Sequence, residues 1–471
     1  MITSKLKTTL LIIIFLLGYT SLSFELLILR QLINFVGSNT LITSVVITFI
    51  LLFMSVGYYW GSKISIARHP VRKMMNEMAV FVGFWGVISC SYYLEEIYFA
   101  LMHVIGIEKT LNYVFTFSFA FLILPSICFG FITAVIGRII HRDNTDYTGR
   151  FMAVDTMGSV SGSILTTLVF MPLVGVSTTI IILSVIAIII SCLLTKRAKW
   201  DVYAVAYIIL LILSVSINNQ KLIAPSNFVL KEDAISRIEI MSTDSIKGKP
   251  VSKIMVINGS QGSKISLDET KMFEYVQFIE NNFIKTMPQD KPREILILGA
   301  GGFTVGLKDT FHHYTYVDID KDLLPISEQY FLEEKLTQNK EFIVRDGYLF
   351  MLNNKKKYDI ILVDVYSAVK SIPMNFVTAD FFFNVKKGLK EDGIMIANII
   401  TSPNFKTVYS RRLDKTLRYV FPNCLERHTI QQFTPYEQSD EYTANVEYVY
   451  YNCPEDNEIF TLNKNSAISE K

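Results

Sequence analysis

One stretch decides the fold of the C-terminal half: Glu294-Ile-Leu-Ile-Leu-Gly-Ala-Gly-Gly-Phe-Thr304. Its run Ile295–Leu298 is apolar throughout, which is typical of a buried central strand in a parallel sheet. Three glycines follow at once: Gly299, Gly301 and Gly302. They indicate a sharp turn where the backbone passes close to a ligand. From Thr304 onward we expect a helix whose free N–H groups point at that ligand.

Acidic residues end the strands predicted next. Tyr314-Thr-Tyr-Val-Asp318 places a carboxylate about twenty residues after the first glycine, where α/β folds that bind nucleosides hold the ribose hydroxyls. A second acid, Asp346, ends Glu341-Phe-Ile-Val-Arg-Asp346 and is followed by Gly347, which suits contact with the edge of an adenine ring. A third acid, Asp364, ends Tyr358-Asp-Ile-Ile-Leu-Val-Asp364. Because parallel strands end at one sheet edge, these acids predict a single site.

Later segments complete the predicted sheet. Gly393–Ile400 is an apolar strand after a predicted helix, Asn375–Leu389, and residues Phe421–Cys453 predict two or three strands that close the sheet antiparallel. Upstream, Ser236–Met241 and Lys253–Ile257 alternate like antiparallel strands, with Asn258-Gly259 as a hairpin turn. Residues Glu269–Phe283 predict an amphipathic helix, and His312 and His313 are expected at the surface.

The stretch from about Ala234 to Cys453 resembles the spermidine synthase family, the polyamine aminopropyltransferases, and in particular its membrane-fused relatives. The resemblance rests on the glycine turn and on these segments: Asn258-Gly-Ser-Gln261, Asp268-Glu269, Val-Asp318-Ile-Asp320, Asp346-Gly347, Asp364-Val-Tyr-Ser367, Ser371-Ile-Pro373 and Thr378-Ala-Asp-Phe-Phe. It implies a small β-domain followed by a Rossmann-like α/β fold of the adenosylmethionine-type methyltransferases.

The resemblance also implies a role for each matching residue. Asp364 stands where the family has the first Asp of its Asp-Ser-Ser-Asp-Pro loop, so we expect it to be the catalytic base; it could instead only cap a turn. The co-substrate would be decarboxylated S-adenosylmethionine, or S-adenosylmethionine itself, with no metal. Its expected contacts are Gln261, Gly299, Gly301, Gly302, Asp318, Asp320, Asp346 and Gly347. Tyr275 and Tyr366 are expected to contact the amine.

Several family positions carry other residues here. Gly302 stands where the family has an acid that holds the cofactor's ammonium group, and Ser367 stands at the second Asp of the loop. Met272 and Phe273 replace a Tyr-His pair. An aliphatic diamine needs carboxylates at its far end, and two candidate charges are missing, so the amine acceptor stays open.

Composition separates the two halves of the 471-residue chain. Hydrophobic residues make up 51% of it and the mean hydropathy is +0.35, too apolar for a wholly soluble protein. The apolar residues fill Thr8 to about Ile217. We expect a transmembrane domain over 1–217, a linker and small β-domain with its helix over 218–292, a catalytic domain over 293–455 and a flexible tail over 456–471. The net charge of +2 gives no indication of nucleic acid.

The apolar half predicts about seven membrane spans, each close to the length of a bilayer core. They are Thr8–Leu29, Leu41–Trp60, Met78–Leu94, Tyr113–Gly137, Phe151–Val174, Thr178–Leu194 and Val202–Ile217. Basic residues gather in alternate loops and place the N-terminus in the cytoplasm of a cell (inner) membrane protein. Seven crossings would then put the catalytic domain outside, away from its cofactor. We expect the last span not to cross, which leaves that domain in the cytoplasm.

Three of the charged residues in or near these spans are unusual. Glu25 and Arg30 end the first span and are either functional or interfacial, and Asp155 lies deeper in Met152-Ala-Val-Asp-Thr-Met-Gly158. Gly158 and Gly162 form a G-x-x-x-G pattern, which favours close helix packing. The five cysteines form no close pair and imply neither a metal site nor a disulfide framework.

The functional prediction is a membrane-bound aminopropyltransferase of polyamine biosynthesis. An adenosylmethionine-dependent methyltransferase is the alternative within enzymes, because the same acids suit either cofactor. A membrane transporter or sensor with a nucleoside-binding domain is the alternative of another class. The expected partners are a small amine and the lipid bilayer, without nucleic acid, and a homodimer is left open.

Overall fold

The computed structural model describes residues 4–37, 40–65, 71–107, 110–143, 147–195, 200–219, 227–246, 249–266, 272–366, 372–432 and 443–452. Asp268-Glu269, Ser367, Ser371 and the predicted tail 456–471 lie outside these ranges. The chain forms two compact units. The first holds Met1–Ser242, Met255–Gln261 and Ser367–Ser371, and the second holds Thr243–Ile254, Gly262–Tyr366 and Ile372–Lys471.

Helices make up most of the first unit, as its apolar composition predicts. They are α1 Ser4–Val36, α2 Thr40–Lys63, α3 Val71–Ser89, α4 Tyr92–Val104, α5 Thr110–Phe121, α6 Ile123–Asp143, α7 Tyr147–Ile164, α8 Met171–Leu194 and α9 Trp200–Asn218. A π-helical segment, Leu165–Phe170, joins α7 to α8.

Within the described ranges, four helical stretches are long and apolar enough to cross a membrane: Leu6–Val36, Thr40–Lys63, Ile123–His141 and Thr148–Leu194. A fifth candidate is α3 together with α4, which meet at a 67° bend. The described residues thus hold four or five candidate spans by length and composition, where about seven were predicted. The fourth stretch is broken at Gly175 (φ 82°, ψ 166°), which lies between the predicted spans Phe151–Val174 and Thr178–Leu194. The predicted span Tyr113–Gly137 is divided between α5 and α6, and the apolar part of α9 is short.

Helix α7 packs closely against α1 at its two glycines, Gly158 and Gly162. A Cβ atom on Gly158 would lie 2.1 Å from the backbone oxygen of Phe15 in α1, and one on Gly162 would lie 2.4 Å from that of Tyr19. Only glycine permits this approach, so the predicted packing role of the G-x-x-x-G pattern is confirmed. Arg30 in α1 is buried within the protein, and it donates hydrogen bonds to the Asn34 side chain and the Asp233 carbonyl.

Two strands of the first unit carry a buried ionic cluster. Glu232 ends β1 (Asn227–Glu232) and Arg237 begins β2 (Arg237–Ile246), which pair antiparallel. Arg237 is 1% exposed, lies 2.9 Å from Glu232 and also pairs with Glu239. Its guanidinium lies over the ring of Tyr92 in α4, 3.8 Å from the centroid. We name Glu232, Arg237, Glu239 and Tyr92 the arginine cluster.

The predicted small β-domain is a four-stranded sheet in the order β1-β2-β3-β4, with β3 Lys249–Ile257 and β4 Ser260–Ser266. Its residues are divided between the two units. Asn258 and Gly259 join β3 to β4 with φ angles of 48° and 75°, so the predicted hairpin turn is confirmed.

The second unit contains a seven-stranded sheet in the order β10-β11-β9-β8-β5-β6-β7. Its strands are β5 Glu294–Leu298, β6 His313–Asp318, β7 Lys340–Val344, β8 Tyr358–Val363, β9 Leu389–Thr401, β10 Leu425–Gln432 and β11 Ala444–Tyr451. Its α-helices are α10 Glu274–Ile279, α11 Leu323–Ile326, α12 Gly347–Asn353, α13 Ala379–Gly388 and α14 Val408–Val420. Strands β5 to β9 pair in parallel, and β10 and β11 add antiparallel strands as predicted.

One face of this sheet is apolar where β9 and β11 pair. Val446, Tyr448 and Tyr450 belong to the core cluster that includes residues of α13 and α14. Because side chains alternate along a strand, Asn445 and Glu447 lie on the opposite face, together with Asn398 of β9. That opposite face is where the polar site is built.

Four local expectations differ from the structure. Thr304 begins a turn rather than a helix, because Phe303 and Gly306 adopt positive φ angles of 61° and 73°. His312 is fully buried, and its Nδ1 accepts a hydrogen bond from the Arg293 N–H. The helix predicted from Asn375 begins at Ala379, with Thr378 as its N-cap. Cys424 is disulfide-bonded, although no disulfide was expected.

Candidate functional site

Asp364 follows β8 at the carboxyl edge of the sheet, where its N–H donates to the Leu298 carbonyl of β5 at 2.9 Å. Its side chain accepts two hydrogen bonds. Tyr275 of α10 donates from Oη to Oδ2 at 3.0 Å, and Asn398 of β9 donates from Nδ2 to Oδ1 at 2.9 Å. Two separate elements therefore orient the carboxylate.

Burial raises the pKa of Asp364 to about 6, although the hydrogen bonds from Asn398 and Tyr275 lower it. The carboxyl group can therefore change its protonation state close to neutral pH, as a general base must. Burial, and then the nearby Asp364 charge, raise the pKa of Tyr275 and of Tyr366 well above the usual range for a phenol. Both phenols remain hydrogen-bond donors at physiological pH.

Tyr366 lies beside Asp364 but is held by the backbone of β9. Its hydroxyl donates to the Asn398 carbonyl at 3.0 Å and accepts from the Ile400 N–H at 2.8 Å. The structure therefore brings together Tyr275, Asp364 and Tyr366, as the sequence predicts. These two hydrogen bonds of Tyr366 stabilise the site, and its contact with an amine stays a prediction.

The glycine turn between β5 and β6 passes the same edge. Gly299 has a φ angle of 91°, and a Cβ atom there would lie 2.0 Å from the Asp364 carbonyl oxygen. A glycine is therefore required where the turn meets the residue that carries the carboxylate. Gly302 donates from its N–H to Ser263 Oγ at 2.8 Å and accepts from Ser327 Oγ at 3.0 Å. A Cβ on Gly301 would lie 2.9 Å from the same Ser263 oxygen.

Asp318 braces this turn at the end of β6. Its Oδ2 accepts from the Ala300 N–H at 3.0 Å and its Oδ1 accepts from the Asp320 N–H at 3.1 Å. Burial raises its pKa, and these backbone hydrogen bonds oppose that effect. The carboxylate lies beside the glycine turn, where the sequence predicts it. Its contact with a ribose stays a prediction.

The remaining predicted contacts have local structural roles. Asp320 is buried and accepts from the Asp322 N–H at 3.1 Å, before α11. Asp346 is the N-cap of α12 and accepts from the Leu349 N–H at 2.9 Å, and Gly347 is the first residue of that helix. Gln261 is exposed on β4 and belongs to the first unit. The cofactor roles of all four stay predictions.

Three polar residues of this site were missed. Asn398 interrupts the apolar run of β9, and its Oδ1 accepts from Asn445 Nδ2 of β11 at 2.6 Å. Glu447, two residues after Asn445 on β11, is fully buried and pairs with Asn398 of β9. The sequence indicates these residues only through the alternation of polar and apolar residues in Ala444-Asn-Val-Glu-Tyr448 and through the single amide side chain in Gly393–Ile400. Neither pattern shows which sheet face these side chains occupy. Among the described residues, no group of three or more His, Cys, Asp and Glu side chains could hold a metal ion.

The known proteins similar to this chain include polyamine aminopropyltransferases. Residues 272–434 match the spermine/spermidine synthase domain. Polyamine aminopropyltransferase 1 of Aquifex aeolicus is 29% identical over 188 residues, which cover 38% of this chain and 63% of that relative. Polyamine aminopropyltransferase 2 of the same organism is 22% identical over 427 residues, 83% of this chain and 79% of the relative.

Among solved structures, a probable spermidine synthase from Corynebacterium glutamicum is similar with a TM-score of 0.39 and 20% identity. The similarity covers 50% of this chain and 82% of that one.

Proposed function

We propose that this chain, whose residues 272–434 match the spermine/spermidine synthase domain, transfers an aminopropyl group to an amine in polyamine biosynthesis. The donor would be decarboxylated S-adenosylmethionine. The main support is the environment of Asp364. It is a carboxyl group with a pKa of about 6, held by Tyr275 and Asn398 beside a glycine turn.

The reaction requires little chemistry from the protein beyond positioning and a base. The amine nitrogen attacks the carbon next to the sulfonium and forms the new N–C bond. The C–S bond breaks, and its electrons remain on sulfur as a neutral thioether. The nitrogen then carries one proton too many, and Asp364 accepts it. Tyr275 and Asn398 keep the carboxylate oriented for that transfer.

The glycine turn and Asp318 suit the nucleoside part of the donor. The turn ends beside Asp318, and the Asp318 carboxylate has lone pairs beyond the two backbone hydrogen bonds it accepts. Gly302 lies where the family has an acid. The pocket therefore does not select by charge between the decarboxylated and the intact cofactor at this position.

Product analysis tests this function on the purified full-length protein in detergent. We expect 1,4-diaminobutane and decarboxylated S-adenosylmethionine to give an aminopropylated amine, identified by mass spectrometry. Asp364→Asn should lower turnover by about 10²–10⁴-fold, as for a lost general base. Its affinity for the donor should change by less than about tenfold, since the predicted ribose and adenine contacts lie elsewhere.

The matched control is Asp380→Asn, the same change at an exposed position in α13. It should retain the parent turnover. A methylated amine made from intact S-adenosylmethionine would replace the proposal by a methyltransferase. Cofactor binding without any product would favour a sensor or transporter.

We also propose that the first unit anchors the enzyme in the cell (inner) membrane as a multi-pass domain, with the catalytic domain in the cytoplasm. The four or five candidate spans support the membrane anchor. The cytoplasmic side is supported by the need of the catalytic domain to reach its cofactor, which cells keep in the cytoplasm. The disulfide at Cys424 argues against that side, because disulfides are rare in the cytoplasm. Lys355→Cys adds an exposed thiol to the second unit. Labelling of this thiol by an impermeant maleimide in intact cells would contradict the cytoplasmic assignment.

A further inference from the structure

Glu447 is a buried carboxyl group for which the described part of the chain supplies no hydrogen-bond partner. The residue is 0% exposed, and neither carboxylate oxygen has a hydrogen bond among the described residues. Buried polar groups are usually hydrogen-bonded, and an unsatisfied one costs about 1–3 kcal/mol, more when charged. An unsatisfied carboxyl group in a site therefore indicates a ligand that donates hydrogen bonds to it.

The location of Glu447 connects it to the base. Glu447 of β11 lies directly opposite Asn398 of β9 in the antiparallel register. Cβ atoms of such pairs are about 4.5–5.5 Å apart. Asn398 donates to Asp364, and the Asp364 charge helps to raise the pKa of Glu447, after the larger effect of burial. All three side chains lie on the polar face of the sheet.

A second unsatisfied acceptor lies on the same face. Asn445 is two residues before Glu447 on β11 and is 3% exposed. Its Nδ2 donates to Asn398, but its Oδ1 has no hydrogen-bond partner among the described residues. Together, Glu447 and Asn445 offer three free acceptor atoms. A primary ammonium group has three N–H donors and a positive charge, which matches this set.

We propose that Glu447, assisted by Asn445, binds the ammonium group at the far end of the amine acceptor. This inference rests on the proposed aminopropyl transfer and assigns residues to the second ammonium group of the acceptor. One nitrogen of the acceptor reacts beside Asp364, and the other fills the acceptor set on β11. Glu447 thus supplies a carboxylate to a chain whose sequence has Gly302 and Ser367 where the family has acids.

Steady-state kinetics with two acceptors test this role on the full-length protein. For Glu447→Gln, we expect kcat/KM with 1,4-diaminobutane to fall about 10–100-fold, mainly through KM, because a hydrogen bond to a charged group is lost. Butylamine lacks the second ammonium group, so its kcat/KM should be unchanged within about twofold. The affinity for the donor should also be unchanged. The matched control, Glu341→Gln at an exposed position of β7, should preserve the parent's preference for the diamine.

A ratio of diamine to butylamine activity equal to that of the parent would overturn the role of Glu447. Ligand-induced thermal stabilisation of the parent provides a second measurement that does not depend on a variant. 1,4-Diaminobutane should raise the unfolding temperature more than butylamine at equal concentration, and equal shifts would overturn the inference. Binding of this kind without aminopropyl transfer would remove the proposed function while retaining the ammonium site.

Discussion

Glu232 in the first unit and Glu447 in the second are both buried in strands, yet they have opposite surroundings. Glu232 accepts hydrogen bonds from Gln31 at 3.2 Å and Ser177 at 2.7 Å, and it pairs with Arg237 at 2.9 Å. Burial raises its pKa, but Arg237 and the other partners lower it below the ordinary value. For Glu447, burial and Asp364 both raise the pKa.

The two carboxyl groups therefore have opposite effects on stability as the pH changes. The lowered pKa of Glu232 means that its charged form stabilises the fold above its ordinary pKa, and this contribution is lost as the pH falls through the lowered value. The raised pKa of Glu447 means that ionisation destabilises the fold as the pH rises above the ordinary value. Glu232, which Arg237 neutralises, therefore has a structural role. Glu447, which has no cation beside it among the described residues, is suited to a cationic ligand.

The largest expected effect comes from removing the cation of the arginine cluster. Arg237→Met keeps an apolar side chain but leaves Glu232 and Glu239 buried without their partner, which should cost about 3–5 kcal/mol. The thermal unfolding midpoint of the full-length protein in detergent should fall by about 6–20 °C. Lys73→Met is the control, since Lys73 and Glu77 form an exposed pair, and such pairs contribute less than about 1 kcal/mol. Equal midpoints for Arg237→Met and the parent would contradict the structural role.

A smaller effect is expected at Asp318, whose carboxylate is already hydrogen-bonded by the backbone. Asp318→Ala removes the bonds to the Ala300 and Asp320 N–H groups and the predicted ribose contact. The affinity for decarboxylated S-adenosylmethionine should fall about 10–100-fold in calorimetry. The exposed variant Asp380→Ala should bind like the parent. An unchanged affinity for Asp318→Ala would show that the ribose is held by other residues.

The smallest expected effect is a change of pH dependence at Tyr275. Its phenol stabilises the charged form of Asp364, so Tyr275→Phe should raise the pKa of Asp364 above about 6. The base form would then be reached at higher pH, and the acidic limb of the kcat/KM profile should move up by about 0.5–1 pH unit. The exposed variant Tyr419→Phe should leave the limb in place. A limb that stays fixed in Tyr275→Phe would show that another group titrates.

The site shows where local pattern stops being sufficient. The position of Asp364 after an apolar strand could be predicted, because strand and turn signals involve neighbours in the chain. Its partners could not, because Tyr275 and Asn398 come from elements 89 and 34 residues away in sequence. The helix predicted from Thr304 and the surface position predicted for His312 were wrong for a related reason. Positive φ angles at Phe303 and Gly306 and the contacts of His312 depend on the packed structure.

The sequence by itself determined the apolar and polar halves, the parallel strands with acids at their ends, and the Asn258-Gly259 hairpin. Each depends on periodicity or on the backbone preferences of one or two residues. The tertiary structure alone decided that Glu232 meets Arg237 while Glu447 meets no cation among the described residues. Strand register and helix packing set those contacts. The two glutamates have the same side chain, but a buried carboxyl group is costly to ionise unless it has a partner, so the presence or absence of a cation gives them opposite properties.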